Sequence, residues 1–220
     1  MRTQPLKTLG LQGAAVLAAM ALGAGPGLLR AAGANTSGAD FLKIGTGARP
    51  AAMAGAYAAV AADADATAWN PAGLALMEKD QAEFMHMAYL ADISYESLAA
   101  AGPINRLSGW GLSLNYLWQP PFDSTANTFG APTDTPATGY DFAAAASYAY
   151  NMGNYRTSDF NISNISLGIT IRLVQEMLSG VTANALYGDA GLSAEIFPGF
   201  RAALVQIGRA SCRERVYGRV

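Results

Sequence analysis

One stretch decides the fold: WGLSLNYLWQ, residues 110–119. Its even positions carry large apolar side chains that begin and end in aromatic rings, whereas its odd positions are mostly small or polar. Because successive side chains of a β-strand point to opposite faces, this alternation predicts a strand with one apolar face and one polar face. The apolar face consists of Trp110, Leu112, Leu114, Tyr116 and Trp118.

A second stretch, YDFAAAASYAY at residues 140–150, has the same pattern. Eight residues at about 3.3 Å each, in a strand tilted by about 40°, rise roughly 20 Å along a membrane normal. This rise approaches the height of the apolar band of a transmembrane β-barrel. The pattern therefore predicts an aromatic girdle that contacts membrane lipid. Its members are Trp110, Tyr116, Trp118, Tyr140, Phe142, Tyr148 and Tyr150.

The composition favours the same class of protein. Charged residues make up 14% of the 220 residues, whereas soluble domains average about 25%. The apolar residues are not gathered into repeated runs of about 20, which argues against a bundle of membrane-spanning helices. A soluble β-sandwich would also alternate, but it would need neither aromatic rings at both ends of the apolar face nor so few charges. We therefore expect an all-β, antiparallel transmembrane β-barrel in a bacterial outer membrane.

Residues 81–206 contain about seven strand candidates. Alternation continues after residue 164. The first candidate, residues 81–90, is apolar at both odd and even positions, so its pattern does not predict which side of the strand points inward. The tight turn at Ala91 and Asp92 predicts a short periplasmic hairpin. The Pro-rich residues 119–139 and the polar residues 152–164 are predicted to be long outer loops.

The N-terminus, residues 1–34, has the features of a secretory signal peptide. Arg2 and Lys7 supply the positive start, residues 9–25 supply an Ala-, Leu- and Gly-rich core, and residues 32–34 read Ala-Gly-Ala, a small-x-small cleavage site. The alternative is an uncleaved membrane anchor, which the glycines in the core disfavour. We expect the mature chain to begin near Asn35.

The last fourteen residues, IGRASCRERVYGRV at 207–220, differ from the rest of the chain. They hold four of the eleven arginines and the only cysteine, Cys212. Because IGRASCRERV resembles the translation of a common sequencing adapter, we expect a non-native tail; a genuine basic tail is the alternative. Under this interpretation the native sequence breaks off early, and the chain is a fragment with about half of a barrel.

Several function classes are disfavoured. Residues 35–206 contain fifteen acids and seven bases, and this net charge of −8 argues against a nucleic-acid partner, because phosphate binding needs clustered Lys and Arg. The only histidine, His86, lacks a Cys or His at metal-ligand spacing and a nucleophile at catalytic spacing, so it is predicted to be part of the barrel wall. We expect no enzyme activity, no metal and no cofactor.

Charged residues of the strand candidates predict a charge ladder inside the barrel. Glu83 and Glu96 lie on neighbouring strands, and one hypothesis is that they face each other in the lumen. Arg172 and Glu176 share a face of their strand and would continue this ladder. Such polar side chains are normal in a barrel lumen.

The segment before the strands, residues 35–80, is rich in Ala and Gly. Asn70 followed by Pro71 predicts a helix start, in which Asn caps the helix and Pro occupies its first position. Gly73 should make this helix short and weak.

Residues 41–75, FLKIGTGARPAAMAGAYAAVAADADATAWNPAGLA, resemble the N-terminal signature of the PorV/PorQ family, a branch of the FadL-like outer-membrane barrels. The most specific element is WNPAGL at residues 69–74. Two positions depart from the family pattern: Ala54 stands where a second glycine is usual, and Ala62 replaces the first of two adjacent acids. The resemblance extends over most of residues 41–206.

This resemblance implies a FadL-like barrel of about fourteen strands in which residues 35–80 form a hatch in or across the lumen. It also implies transport or protein secretion across the outer membrane. The implied partners are outer-membrane lipid and either secreted cargo proteins, as in type IX secretion, or hydrophobic small molecules. FadL-type uptake of hydrophobic small molecules is the alternative function.

Hatch residues with distinctive chemistry are candidates for a gate and its latch. The three neutral candidates would line a gate, although capping alone explains Asn and Pro in that order. The four charged candidates would form a weak latch, since exposed ion pairs contribute only about 0–1 kcal/mol; solvated charges are the alternative. The candidates are Asn70, Pro71, Gly73, Lys43, Arg49, Asp63 and Asp65.

Overall fold

The structure is a computed structural model, and it describes residues 39–122, 136–156 and 161–207. Its main element is an antiparallel sheet of seven strands, ordered as in the sequence, that forms a half-barrel. The predicted all-β antiparallel fold is thereby confirmed. The predicted signal peptide and nearly all of the predicted tail lie outside the described residues. The strands are β1 (Gln81–Ala88), β2 (Ser94–Asn105), β3 (Ser108–Phe122), β4 (Ala137–Arg156), β5 (Asn161–Leu178), β6 (Val181–Phe197) and β7 (Phe200–Gln206).

Only short helices accompany the sheet in the part of the chain that the structure describes. A 3-10 turn, Leu90–Asp92, joins β1 to β2. Within the described residues no helix has the length and apolar character needed to cross a membrane. The hatch contains the 3-10 helix Asp40–Lys43, the α-helices Ala48–Ala52 and Ala66–Trp69, and the 3-10 helix Pro71–Leu76.

The two faces of the sheet differ as the alternation predicts. In β3, Leu112 and Leu114 are 53% and 45% exposed, whereas Ser113 and Asn115 are only 4% and 2% exposed. The buried side lies against the hatch, and we call it the inner face. The opposite side, which carries the exposed aliphatic residues, is the outer face.

Strand β1 is apolar on both faces because its inner face also packs against the hatch. Met85 and Met87 contact the apolar cluster around Phe41, whereas Phe84 points outward and is exposed. Cross-strand register pairs Glu83 with Ala99, and pairs Glu96 with His86. Glu83 therefore lies on the inner face and Glu96 on the outer face, so the hypothesis that they face each other in the lumen is wrong.

The register also corrects the predicted arrangement of the loops. Consecutive hairpins of an antiparallel sheet alternate between its two ends. The turn at residues 91–92 and the described flanks of the Pro-rich segment, residues 119–122 and 136–139, therefore lie at the same end, so the turn and the segment cannot be periplasmic and outer respectively. Residues 152–164 lie at the opposite end, mostly within β4 and β5, and cannot share a side with the Pro-rich segment. Residues 123–135 and 157–160 lie outside the described part of the chain.

The hatch reaches the sheet along a row of small residues. Gly109, Ala149, Gly168 and Gly191 are aligned in register across β3, β4, β5 and β6. The 3-10 helix Pro71–Leu76 packs against these four strands. A Cβ atom on Gly168 would lie 2.2 Å from the Ala72 nitrogen, and one on Gly191 would lie 2.1 Å from Asn70 Oδ1. This close approach requires glycine, since no side chain fits at such distances.

Candidate functional site: the hatch against the inner face

Asn70 links two parts of the hatch. Its Oδ1 accepts a hydrogen bond from the Ala72 N–H at 3.1 Å, and its Nδ2 donates to the Ala58 carbonyl at 2.8 Å. The side chain is fully buried, and Pro71 occupies the first position of the following helix. The predicted cap is therefore confirmed, but the helix that it caps is a 3-10 helix of six residues. Asn70 and Pro71 therefore have a structural role in the hatch, and their role in a gate stays a prediction.

Gly73 lies where the hatch folds back on itself. A Cβ atom there would lie 1.8 Å from the Ala61 carbonyl oxygen. The same 3-10 helix thus packs against the sheet on one side and against residue 61 on the other. Gly73 permits this contact, so its effect goes beyond the shortening of the helix that the sequence predicts.

One of the predicted latch pairs is formed. Arg49 Nη1 lies 3.4 Å from Asp63 Oδ2, and it donates a hydrogen bond of 3.3 Å to the Tyr57 hydroxyl. The Tyr57 hydroxyl in turn donates to Asp63. Tyr57 is buried, and burial together with this bond to Asp63 raises the pKa of its hydroxyl above the usual value. The pair is therefore a hydrogen-bonded triad within the hatch, not a link between the hatch and the sheet.

Trp69 anchors this triad to the start of the hatch. Its ring meets the ring of Tyr57 edge-on, with 6.2 Å between the centroids. Its Nε1–H donates to the Thr46 carbonyl at 2.9 Å. Trp69 and Tyr57 are site residues that the sequence prediction missed, although both lie in the quoted signature.

Lys43 does not take part in the latch. Its Nζ lies 2.6 Å from Asp40 Oδ1, and both side chains are mostly exposed. The predicted pairing of Lys43 with Asp63 or Asp65 is wrong, because a nearer acid three residues away on the same turn takes its place.

Asp65 also lacks the predicted cationic partner. It is 4% exposed, and its Oδ2 has no hydrogen-bond partner within the described residues. Burial, and then the negative charges of Glu83 and Asp63, raise the pKa of its carboxyl to about 7. Glu83 belongs to β1, so two acids meet where the hatch contacts the wall. This contact is electrostatically unfavourable when both acids are ionised.

The inner face holds a buried ion pair and an apolar cluster. Arg172 Nη2 lies 3.3 Å from Asp189 Oδ2 across β5 and β6, and both side chains are buried. Glu176 lies on the same inner face as Arg172, as predicted, and accepts a hydrogen bond from the Ala39 N–H. The apolar cluster combines hatch residues with wall residues that the sequence prediction did not single out. It includes Phe41, Tyr95, Leu117, Ala143, Val174 and Tyr187.

The seven predicted girdle residues lie on the outer face in cross-strand pairs or at the ends of the apolar rows. Register aligns Trp110 with Tyr148, and the rings of Tyr116 and Tyr140 lie 6.1 Å apart. Three further alignments complete the set, with Tyr116 opposite Phe142, Trp118 opposite Tyr140 and Tyr150 opposite Ser108.

The hatch and the sheet are shared with a described family of proteins. Residues 22–185 match the model of an uncharacterised protein family, UPF0164. The chain belongs to the UPF0164 family. The region matched by UPF0164 includes the hatch and strands β1 to β5, and it ends within β6. No curated protein matches the chain. The description of UPF0164 names neither PorV/PorQ nor FadL, so that resemblance stays a prediction.

Proposed function

We propose that this UPF0164 protein is a bacterial outer-membrane β-barrel protein that acts in transport or protein secretion across that membrane. The membrane assignment rests on the outer face of the sheet, and the transport role rests on the hatch against its inner face. Uptake of hydrophobic small molecules is the variant of this function favoured by the apolar cluster inside the half-barrel.

The single observation that carries the proposal is that outward-pointing residues of neighbouring strands align in register and form rows across the sheet. One row, read across β1 to β6, contains only apolar residues. The next row towards the Arg106 turn is also apolar or glycine. Large aliphatic residues exposed in contiguous rows are costly in water, whereas lipid accepts them. The first row is Phe84, Leu98, Leu114, Ala144, Leu173 and Leu186, and the second is Ala82, Ala100, Leu112, Ala146, Ile171 and Gly188.

Polar and aromatic residues border these rows at the end of the sheet that carries the 91–92 turn. Along one row, His86 Nδ1 lies 2.5 Å from Glu96 Oε1, and Gln175 Nε2 donates to Asn184 Oδ1 at 3.2 Å. The same row contains Tyr116. This order, from polar and aromatic to aliphatic, is typical of the transition from the membrane interface to the hydrocarbon core.

The height of the apolar band agrees with a membrane. On β4, the outward aromatic residues Tyr140 and Tyr150 lie ten residues apart. Ten residues at about 3.3 Å, tilted by about 40°, rise roughly 25 Å, which is the height of the outward apolar band of such barrels. The spacing of the aromatic residues therefore supports a lipid-facing surface.

A pair of arginine substitutions on one strand tests the proposal. Ile171 lies near the middle of the band, whereas Gln175 lies on the same face in its polar border row. In lipid, Ile171→Arg should lower the free energy of unfolding by roughly 2–4 kcal/mol and Gln175→Arg by about 0–1 kcal/mol. Urea titration of the protein in vesicles measures both. Equal and small effects of the two variants would mean that water, not lipid, contacts this face.

A further inference from the structure

A cavity of about 730 Å³ lies at the end of the sheet that carries the Arg106 turn. Two of its walls are the end of the hatch, residues 75–78, and the end of β2 with its turn, residues 103–106. The remaining lining comes from single residues of three strands, Asn151 of β4, Asn164 of β5 and Arg201 of β7. The hatch and the wall therefore line this open cavity jointly.

Two of the three asparagines that line this cavity, Asn105 and Asn151, have their side-chain oxygens bonded to backbone N–H groups. Asn105 Oδ1 accepts hydrogen bonds from the N–H groups of Leu107 and Ser108, at 2.8 Å and 3.1 Å. Asn151 Oδ1 accepts from the Gly153 N–H at 2.7 Å. The opposite end of each amide is an NH₂ group, which can only donate. Neither NH₂ group has an acceptor among the described residues, so each is available to a ligand.

Arg106 and Arg201 add two guanidinium groups to the lining. Neither forms an ion pair or hydrogen bond with another residue that the structure describes. Glu195 is the cross-strand neighbour of Arg201, but its oxygens receive bonds from Asn164 Nδ2 at 3.2 Å and the Gly199 N–H at 3.3 Å. Glu78 is the only acid among the lining residues, which contain two arginines.

We propose that this cavity binds a phosphate group. Separate walls of the cavity supply two guanidinium groups and two amide NH₂ groups, whereas the lining contains one carboxylate, that of Glu78. A tetrahedral oxyanion offers acceptor oxygens in several directions, whereas a planar carboxylate presents only one edge. The phosphate is carried either by a free ion or by the head group of a lipid, whose chains would contact the apolar residues 75–77 and 103–104.

Calorimetric titration with inorganic phosphate, of the whole protein in neutral detergent micelles, tests the site. Arg106→Gln combined with Arg201→Gln should weaken binding by about tenfold or more, because each removes a charged hydrogen bond. Arg156→Gln is the matched control, since Arg156 is an exposed arginine near the same end that does not line the cavity. Added salt should weaken binding to the unsubstituted protein.

A second titration, with a soluble short-chain phosphatidic acid, distinguishes the two sources of phosphate. Similar affinity for both probes supports a free ion, and about tenfold tighter binding of the lipid supports a head group. The proposal is overturned if neither probe binds at millimolar concentration, or if the double variant binds as tightly as Arg156→Gln. The basic residues beyond position 207 are common to all variants, so they cannot produce a difference between them. Circular dichroism confirms that each variant folds.

Discussion

Asp65 is the residue at which burial decides the chemistry. Its carboxyl has a pKa of about 7 in the folded protein, whereas an exposed aspartate titrates near 3.8. Between about pH 4 and pH 7, this carboxyl is therefore protonated in the folded state and ionised in the unfolded state. Stability consequently falls as the pH rises through this window, and it levels off above the folded pKa.

Asp65→Asn should remove this contribution, because the amide stays neutral at every pH. Between pH 5 and pH 8 the unsubstituted protein should lose on the order of 2–4 kcal/mol more stability than the variant. Urea midpoints at the two pH values measure the difference. Asp92→Asn, in the exposed turn between β1 and β2, serves as the control and should leave the slope unchanged. An equal slope for Asp65→Asn would show that the carboxyl is already ionised at pH 5.

At the scale of single residues, the sequence predicts only partners that are close in the chain or fixed by a local pattern. The Asn70 cap follows from the order of Asn and Pro, and it is present. The partner of Asp65 depends on how the hatch folds onto β1, which no local pattern encodes. A charge pattern alone suggested a cation for Asp65, whereas the fold supplies a second acid, Glu83.

At the scale of elements, the row of small residues explains why the strands contain glycine at inward positions. Two glycines of β6, Gly191 and Gly188, form a matched pair that tests this explanation. A Cβ atom on Gly191 would lie 2.1 Å from Asn70 Oδ1, whereas one on Gly188, on the outer face, would come no closer than 4.0 Å to the Thr170 carbonyl oxygen.

Gly191→Ala should displace the hatch at a cost of about 1–3 kcal/mol, the usual cost of overpacking. Gly188→Ala should be neutral or slightly stabilising, since alanine restricts the unfolded chain more than glycine does. Hydrogen exchange of the amides of residues 70–76 reports hatch docking directly. Unchanged protection of these amides in Gly191→Ala would mean that the hatch does not rest on this row.

The strands themselves were predictable because the alternation is local and strong, as in β3 and β5. The orientation of β1 was not, since its hatch-facing side and its exposed side both carry apolar side chains, which leaves Phe84 and Met85 equivalent in the sequence. The placement of the loops also follows from the number of strands between them. The single strand β4 separates the connection that precedes it from the connection that follows it, so the described residues at its two ends lie at opposite ends of the sheet.

At the scale of the whole molecule, the half-barrel has two edge strands, β1 and β7. In the part of the chain that the structure describes, each of them pairs with a neighbour on one side only. Unpaired backbone groups are costly in lipid, so the proposed membrane function requires that both edges be paired. The about fourteen strands implied by the resemblance would pair them in a closed barrel.

Transport through such a barrel requires the hatch to move, and a reversible cross-link tests this movement. A Cβ atom on Gly111 would lie 2.5 Å from Thr67 Cγ2, which places cysteines at these two positions within reach of a disulfide. In a Cys212→Ser background, Thr67→Cys with Gly111→Cys should join the hatch to β3. Oxidation should then stop the uptake of a hydrophobic dye into vesicles, and a reductant should restore it. Thr67→Cys alone controls for the substitution and should be insensitive to oxidation. Uptake that continues at the same rate with the disulfide formed would exclude displacement of the hatch as the gating step.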